Sequence, residues 1–284
     1  MGIRLVATDL DGTFLRDDGT PHPRVLAALD QVLDAGITVA FVTGRPPRWM
    51  FPVVEASEHR GLAVCSNGAT LLDLHKEEVI DCDHMPSDAA AEAIHRLRRL
   101  DPGTGFALDR NVVGTPMGNG SHATGFVREE KYLSFWEPTG AEVVNDLTKH
   151  LEPGNIVKLL ARPSEDLHHR GADYWLAAAR ESLAGVVEVT HSTKGDIYLE
   201  MSADGVTKAT GLKKIADRLG VSSDEVSAVG DMPNDLPMLT WVGTSFAVSN
   251  AHETVLNTVH KHVGSNDEGG VADVLLAALA THLG

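Results

Sequence analysis

The chain is poor in cysteine, in aromatic side chains and in positive charge. Its two cysteines, Cys65 and Cys82, form no crosslinking framework and have no histidine nearby at a zinc spacing, which excludes a disulfide-stapled or cysteine-zinc scaffold. Two free thiols suit a reducing cytoplasm. Aromatic residues make up 5% of the sequence, and Trp49, Trp136, Trp175 and Trp241 show no spacing that demands a stacking platform. Lysine and arginine number 24 against 40 aspartates and glutamates, a formal net charge of -16. Nucleic acid and anionic membrane both require a basic surface, so neither is expected as a partner. There is no long apolar segment and no signal-peptide pattern, and the expectation is a soluble, cytoplasmic protein.

Apolar material is ample: 43% of 284 residues are hydrophobic, enough for a full core and large for one compact domain, so two domains are expected. From Ile3 to about Asp73, apolar runs alternate with amphipathic stretches in the βαβα rhythm of a parallel sheet. Val25, Leu26, Leu29, Val32 and Leu33 repeat at helical spacing, and Gly36 ends that helix. Leu62–Cys65 reads as a third strand, and Thr70–Asp73 with Val79–Asp81 as a hairpin. A helix opened by a Ser-Asp cap follows from Ser87 to Leu100. The rhythm is then lost. Strand candidates at Gly105–Leu108, Val112-Val113, Thr124–Val127 and Asn155–Ala161, a helix over Glu165–Leu183, and strands at Val186–Thr190 and Ile197–Met201 describe an α+β insert. From about His191 the doubly wound rhythm returns, with helices near Lys208–Leu219 and Pro233–Leu239, strands near Val226 and Ser245, and a terminal helix over Val271–His282. The expected architecture is α/β. A Rossmann-like doubly wound parallel-sheet core is built from residues 1–82 and 191–284, and residues 83–190 form an inserted α+β cap.

Four polar clusters sit where strands end or a helix begins, which is where open α/β sheets bind ligands. Asp9-Leu10-Asp11-Gly12-Thr13 follows the run Ile3–Ala7, and Thr43-Gly44-Arg45 follows Ile37–Val42. Lys208 opens a helix after Gly205-Val206-Thr207, and Gly230-Asp231-Met232-Pro233-Asn234-Asp235 closes the strand Val226–Val229. Two carboxylates delivered to one end of a sheet rarely crowd together without a cation. An Asp-Gly after an apolar run is also an ordinary turn, and Gly230-Asp231 with Asn234-Asp235 are ordinary turn and helix-cap residues. The combination of all four clusters outweighs those readings.

These residues, in this order, resemble the haloacid dehalogenase superfamily of phosphotransferases. The resemblance extends to Cys65-Ser66-Asn67-Gly68-Ala69, to Glu200–Lys208 and to Val248-Ser249-Asn250-Ala251, segments similar to the Cof-type branch. That branch consists mostly of magnesium-dependent phosphatases of small phosphorylated metabolites with a large inserted cap. The resemblance implies Asp9 as the nucleophile that takes the phosphoryl group and Asp11 as the acid and base serving the leaving oxygen and the attacking water. A carboxylate at position 11, where phosphoenzyme-preserving relatives carry threonine, favours phosphatase or phosphomutase chemistry. Asp9 and Asp231 fit magnesium as direct ligands, the resemblance adds the backbone carbonyl of Asp11, and Asp235 is expected one step behind the ion or reaching it through water. Thr43, Gly44, Lys208 and Asn234 are candidates for the phosphate, and Arg45 and Asn67 for substrate contacts.

Within the insert, Arg110, His122, Lys158 and Arg162 are candidates for the non-phosphate part of a substrate. His168-His169 and His260-Lys261-His262 read as surface residues rather than metal sites. Gly269 stands where the resemblance calls for an acidic residue. The expected partner is a small phosphate ester, sugar phosphates first and nucleotide-like or cofactor phosphates behind, bound by a monomer or small homo-oligomer. A sugar phosphomutase and a non-catalytic sugar-phosphate-binding protein are the alternatives.

Overall fold

A computed structural model describes residues 2–118, 125–132, 140–192 and 197–283. In chain order the first part comprises β1 (Leu5–Thr8), α1 (Pro23–Asp34), β2 (Thr38–Val42), α2 (Phe51–Ser57), β3 (Leu62–Cys65), β4 (Thr70–Asp73) and β5 (Glu78–Cys82). The middle comprises α3 (Ser87–Leu100), β6 (Gly105–Arg110), β7 (Phe126–Glu129), β8 (Glu142–Val144), β9 (Ile156–Arg162), α4 (Glu165–His168), α5 (Ala172–Leu183), β10 (Val187–Thr190) and β11 (Leu199–Ala203). The last part comprises α6 (Lys208–Leu219), β12 (Val226–Gly230), α7 (Leu236–Trp241), β13 (Thr244–Val248), α8 (Glu253–Thr258), β14 (His262–Val263) and α9 (Val271–Leu283).

Both ends of the chain build one eight-stranded sheet in the order β14-β13-β12-β1-β2-β3-β4-β5. It is parallel from β14 to β3, and the hairpin β4–β5 adds an antiparallel edge. The residues Leu5-Val6-Ala7-Thr8 are all buried, as expected of a central strand covered on both faces, where apolar runs replace alternation. Helix α1 buries Val25, Ala28, Leu29 and Val32, one stripe at helical spacing. Helix α6 starts with a capping box formed by Thr207 and Thr210 and ends at Gly220 in the left-handed conformation. It lies unusually close to the core. A Cβ on Gly211 would fall 2.4 Å from Val64 Cγ1, and one on Gly68 would fall 2.0 Å from the Thr207 carbonyl.

The middle of the chain forms a separate six-stranded sheet, β10-β11-β9-β6-β7-β8, antiparallel except for β7 with β8, and it has its own apolar core. β11 belongs to this sheet, so the sheet continues beyond the expected boundary at residue 190. Other expectations also shift. The helix expected over 165–183 is two helices, because Gly171 adopts φ +84° and stands as the N-cap of α5. Ser87 is the first residue of α3, not its cap, and Pro86 precedes it with no side-chain cap bond. Val112 and Val113, expected in a strand, lie in a loop and are 47% and 63% exposed; β-branching alone does not hold a strand without a surface to cover. Among the described residues no helix is long and apolar enough to cross a membrane.

Candidate active site

The ends of β1, β2 and β12 converge on a cavity of about 770 Å³ that also has walls from the six-stranded sheet. Behind Asp9, which lines this cavity, Lys208 is 1% exposed, and its Nζ lies 2.6 Å from Asp9 Oδ1 and 2.6 Å from Asp235 Oδ1. Asp235 Oδ2 accepts the backbone N–H groups of Asp231 (3.0 Å) and Met232 (2.9 Å), so this side chain fixes the loop that carries Asp231. Asp231 Oδ1 accepts a hydrogen bond from Thr13 Oγ1 at 3.0 Å. Gly12 has φ +77°, and a Cβ there would fall 2.6 Å from Asp231 Oδ2, so only glycine lets the first loop approach this carboxylate so closely.

Charge makes this cluster unusual. Burial pushes the Asp9 carboxyl well above the ordinary carboxylate range; Lys208 opposes the rise, and Asp235, Asp231 and Asp11 reinforce it. Burial alone would lower Lys208, but Asp235 and Asp9 outweigh it and hold the ammonium charged well above the usual lysine value. Asp9 and Asp235 thus share one ammonium, and together with Asp231 they offer oxygens within 4.8 Å of one another. A buried, all-oxygen set of this kind fits a hard divalent cation such as Mg²⁺. Both Asp235 oxygens are engaged by Lys208 and the backbone, whereas Asp9 and Asp231 line the cavity, where they could hold such an ion.

Thr43 is fully buried, and its Oγ1 accepts the Arg45 N–H at 3.0 Å, which shapes the turn at Gly44. Arg45 grips Asp11 with a fork, Nε to Oδ2 at 2.8 Å and Nη2 to Oδ1 at 2.5 Å, while the Asp11 side chain stays 54% exposed toward the cavity. After β3, Ser66, Asn67 and Gly68 all have positive φ (52°, 56° and 112°), a tight reversal that turns the Asn67 side chain into the protein. Asn67 Nδ2 donates to Glu200, and Asn67 Oδ1 accepts from Asn234 Nδ2 at 3.0 Å. Asn234 therefore points an N–H at Asn67. Its NH₂ keeps a second N–H, its buried Oδ1 has no hydrogen-bond partner, and the residue lines the cavity.

Of the candidates in the insert, Lys158 and Arg162 line the cavity. Lys158 Nζ donates to the Gly44 carbonyl at 2.8 Å and pairs with Glu200 at 3.4 Å. Arg110 instead donates to the His150 carbonyl at 2.6 Å and lies away from the cavity lining. His122 falls outside the described residues. No sequence pattern signals the ion pair between Arg48 after β2 and Asp109 in β6, 2.6 Å apart and nearly buried, that joins the two sheets across the cavity. Nor does any pattern expose the roles of Thr13 or Glu200, although both lie inside the quoted motifs. Trp49, Phe126, Tyr132 and Tyr198 also line the cavity. A second cluster, Asp173 with His191 and His252, does not suit an ion. His252 Nδ1 accepts the Thr254 N–H at 3.2 Å, so the Nε2 facing Asp173 carries a proton rather than a lone pair.

This fold and this cluster at the strand ends are those of an α/β phosphoryl-transfer hydrolase with an inserted cap. A model of the haloacid dehalogenase-like hydrolases matches residues 6–275, and the chain belongs to that family. It is 27% identical over 275 residues to a 5-amino-6-(5-phospho-D-ribitylamino)uracil phosphatase of Bacillus subtilis, covering 95% of this chain and 96% of the relative. It is 25% identical over 292 residues to a pyridoxal phosphate phosphatase of Escherichia coli, covering 98% of this chain and all of the relative. The solved structure of a phosphatase of the same superfamily from Bacteroides thetaiotaomicron superposes with a TM-score of 0.75 at 23% identity, covering 98% of this chain and 95% of that one.

Proposed function

We propose that this protein is a magnesium-dependent, cytoplasmic phosphatase of small phosphorylated metabolites, with Asp9 as nucleophile. The observation that carries the reading is the buried cluster of Asp9, Asp231, Asp235 and Lys208, with Asp9 and Asp231 lining a cavity. An Asp9 oxygen attacks phosphorus and the ester P–O bond breaks. The leaving oxygen takes a proton from Asp11. Water then attacks the aspartyl-phosphate, Asp11 takes its proton, and the bond between Asp9 and phosphorus breaks to release phosphate. Arg45 forks onto both Asp11 oxygens and so fixes the position of this side chain at the cavity. Lys208 offsets the repulsion between Asp9 and the phosphate, and Thr43 with the amides around Gly44 faces its equatorial oxygens. Asp9, Asp231 and the Asp11 carbonyl would hold Mg²⁺, which would supply charge neutralisation and orientation.

The relatives act on esters of ring-bearing alcohols, and Trp49, Phe126, Tyr132 and Tyr198 line the cavity. A flat heterocyclic leaving group fits such walls, with sugar phosphates as the comparison class. The test is phosphate release from a panel of both ester types with magnesium and with excess chelator. Release should require magnesium and vanish in Asp9→Asn, whose amide keeps the shape but not the nucleophile. Full turnover in chelator, or near-normal turnover by Asp9→Asn, would remove this mechanism.

A further inference from the structure

Glu200 is 3% exposed and lies on β11, at the seam between the two sheets. One carboxylate oxygen faces Lys158 Nζ at 3.4 Å, and the other accepts from Asn67 Nδ2. A carboxylate only accepts, so the Asn67 amide has a single orientation here: NH₂ toward Glu200, Oδ1 away from it. That oxygen faces Asn234, which in turn must present its own NH₂, as it does at 3.0 Å. Asn234 sits in the loop between Asp231 and Asp235. Reversing either amide would set two N–H groups or two oxygens against each other. Gly44 completes the seam: a Cβ there would lie 3.1 Å from Asn67 Oδ1 and 3.2 Å from Glu200 Oε2.

We propose that Glu200 is a positioning residue which, through Asn67, sets the orientation of the Asn234 amide and so couples the cap-side cation Lys158 to the loop of Asp231 and Asp235. The kinetic consequences rest on the phosphatase reading; the hydrogen-bond relay itself does not.

The relay predicts its own repair. Glu200→Gln can turn an NH₂ toward Asn67, which lets Asn67 rotate and forces Asn234 to follow. Asn67→Asp sets one carboxylate against another. In the double variant, the glutamine amide introduced at position 200 donates to the new carboxylate, which also accepts from Asn234, and the Asn234 orientation is restored. Aspartate tolerates the positive φ of position 67. Each single variant should lower kcat by about 10- to 100-fold with a smaller change in KM, as expected when a group behind a metal ligand is disturbed. The double variant should recover to within several-fold of the unmodified enzyme.

The second readout is the side-chain NH₂ resonance of Asn234 in ¹⁵N spectra, identified by its loss in Asn234→Asp. It should shift in Glu200→Gln, although Asn234 does not touch Glu200, and return in the double variant. Where a single variant is too unstable for kinetics, recovery of the melting temperature in the pair reads the same relay. A double variant no better than the worse single one, or an unmoved Asn234 resonance in Glu200→Gln, would overturn the proposal. If the unmodified protein hydrolyses no ester while the resonance shifts and returns, the phosphatase reading fails and the relay stands.

Discussion

Replacing Lys208 with methionine tests the electrostatic heart of the site. Methionine keeps the volume and apolar stem and removes only the ammonium, which lies 2.6 Å from both Asp9 and Asp235. Removing one partner of a buried ion pair costs about 3–5 kcal/mol, because the remaining charge is left without compensation, and here two carboxylates are stranded. Urea unfolding in chelator should therefore show a loss at the upper end of that range. A divalent cation that binds only the folded state restores about 2.7 kcal/mol at a hundredfold excess over its Kd. Magnesium should accordingly stabilise the variant at least as strongly as the unmodified protein, since the variant cluster is more negative. Turnover should still fall by roughly 10²- to 10³-fold for every ester, the usual effect of deleting one preorganised donor, whatever the leaving group. A variant as stable as the unmodified protein in chelator, or a loss confined to some substrates, would refute the assignment of Lys208 to the common phosphate site.

Asp11→Asn should slow alkyl phosphates by about 10²- to 10⁴-fold and activated aryl phosphates far less, because the latter need little protonation; equal losses in a paired kcat comparison would argue against the acid role. Gly12→Ala should raise the magnesium concentration needed for half-maximal activity, since its Cβ would press on Asp231 Oδ2 at a backbone φ of +77°, and should cost more than about 1 kcal/mol of stability. His59 is buried, its Nε2 lies 3.0 Å from the Val39 carbonyl, and burial lowers its pKa from the ordinary 6.5. Its contribution to stability is complete above pH 6.5 and declines as pH falls below that value, where the unfolded chain takes up a proton that the folded imidazole refuses, until the lowered folded pKa is passed. His59→Gln should flatten that part of the curve of urea midpoint against pH.

What can be read from the sequence depends on how local the signal is. Asp9, Thr43, Lys208 and Asp231 each follow an apolar run or open a helix, so a few neighbouring residues place them at the strand ends. Helix α6 can be bounded because Thr207 and Gly220 mark its ends chemically. Glu200 lies in plain view within a motif, yet its partners are 133 and 42 residues away, and no local pattern records such a meeting. The pairing of Arg48 with Asp109 is hidden for the same reason. Gly171 breaks one expected helix into two because an isolated glycine reads weakly against a favourable helical stretch, whereas Val112-Val113 has the composition of a strand but is left by the fold with nothing to cover.

Two glycines without polar chemistry govern where the most important charge lies. Gly68 and Gly211 let α6 settle against β3 and the loop after it, and α6 carries Lys208 at its first residue. The ammonium reaches Asp9 because side chains are missing elsewhere. As the sequence drifts, these positions are therefore less free than much of the polar surface. A methyl group gained at either one would lift the helix and withdraw the cation, an inherited loss of activity with every charged residue still in place.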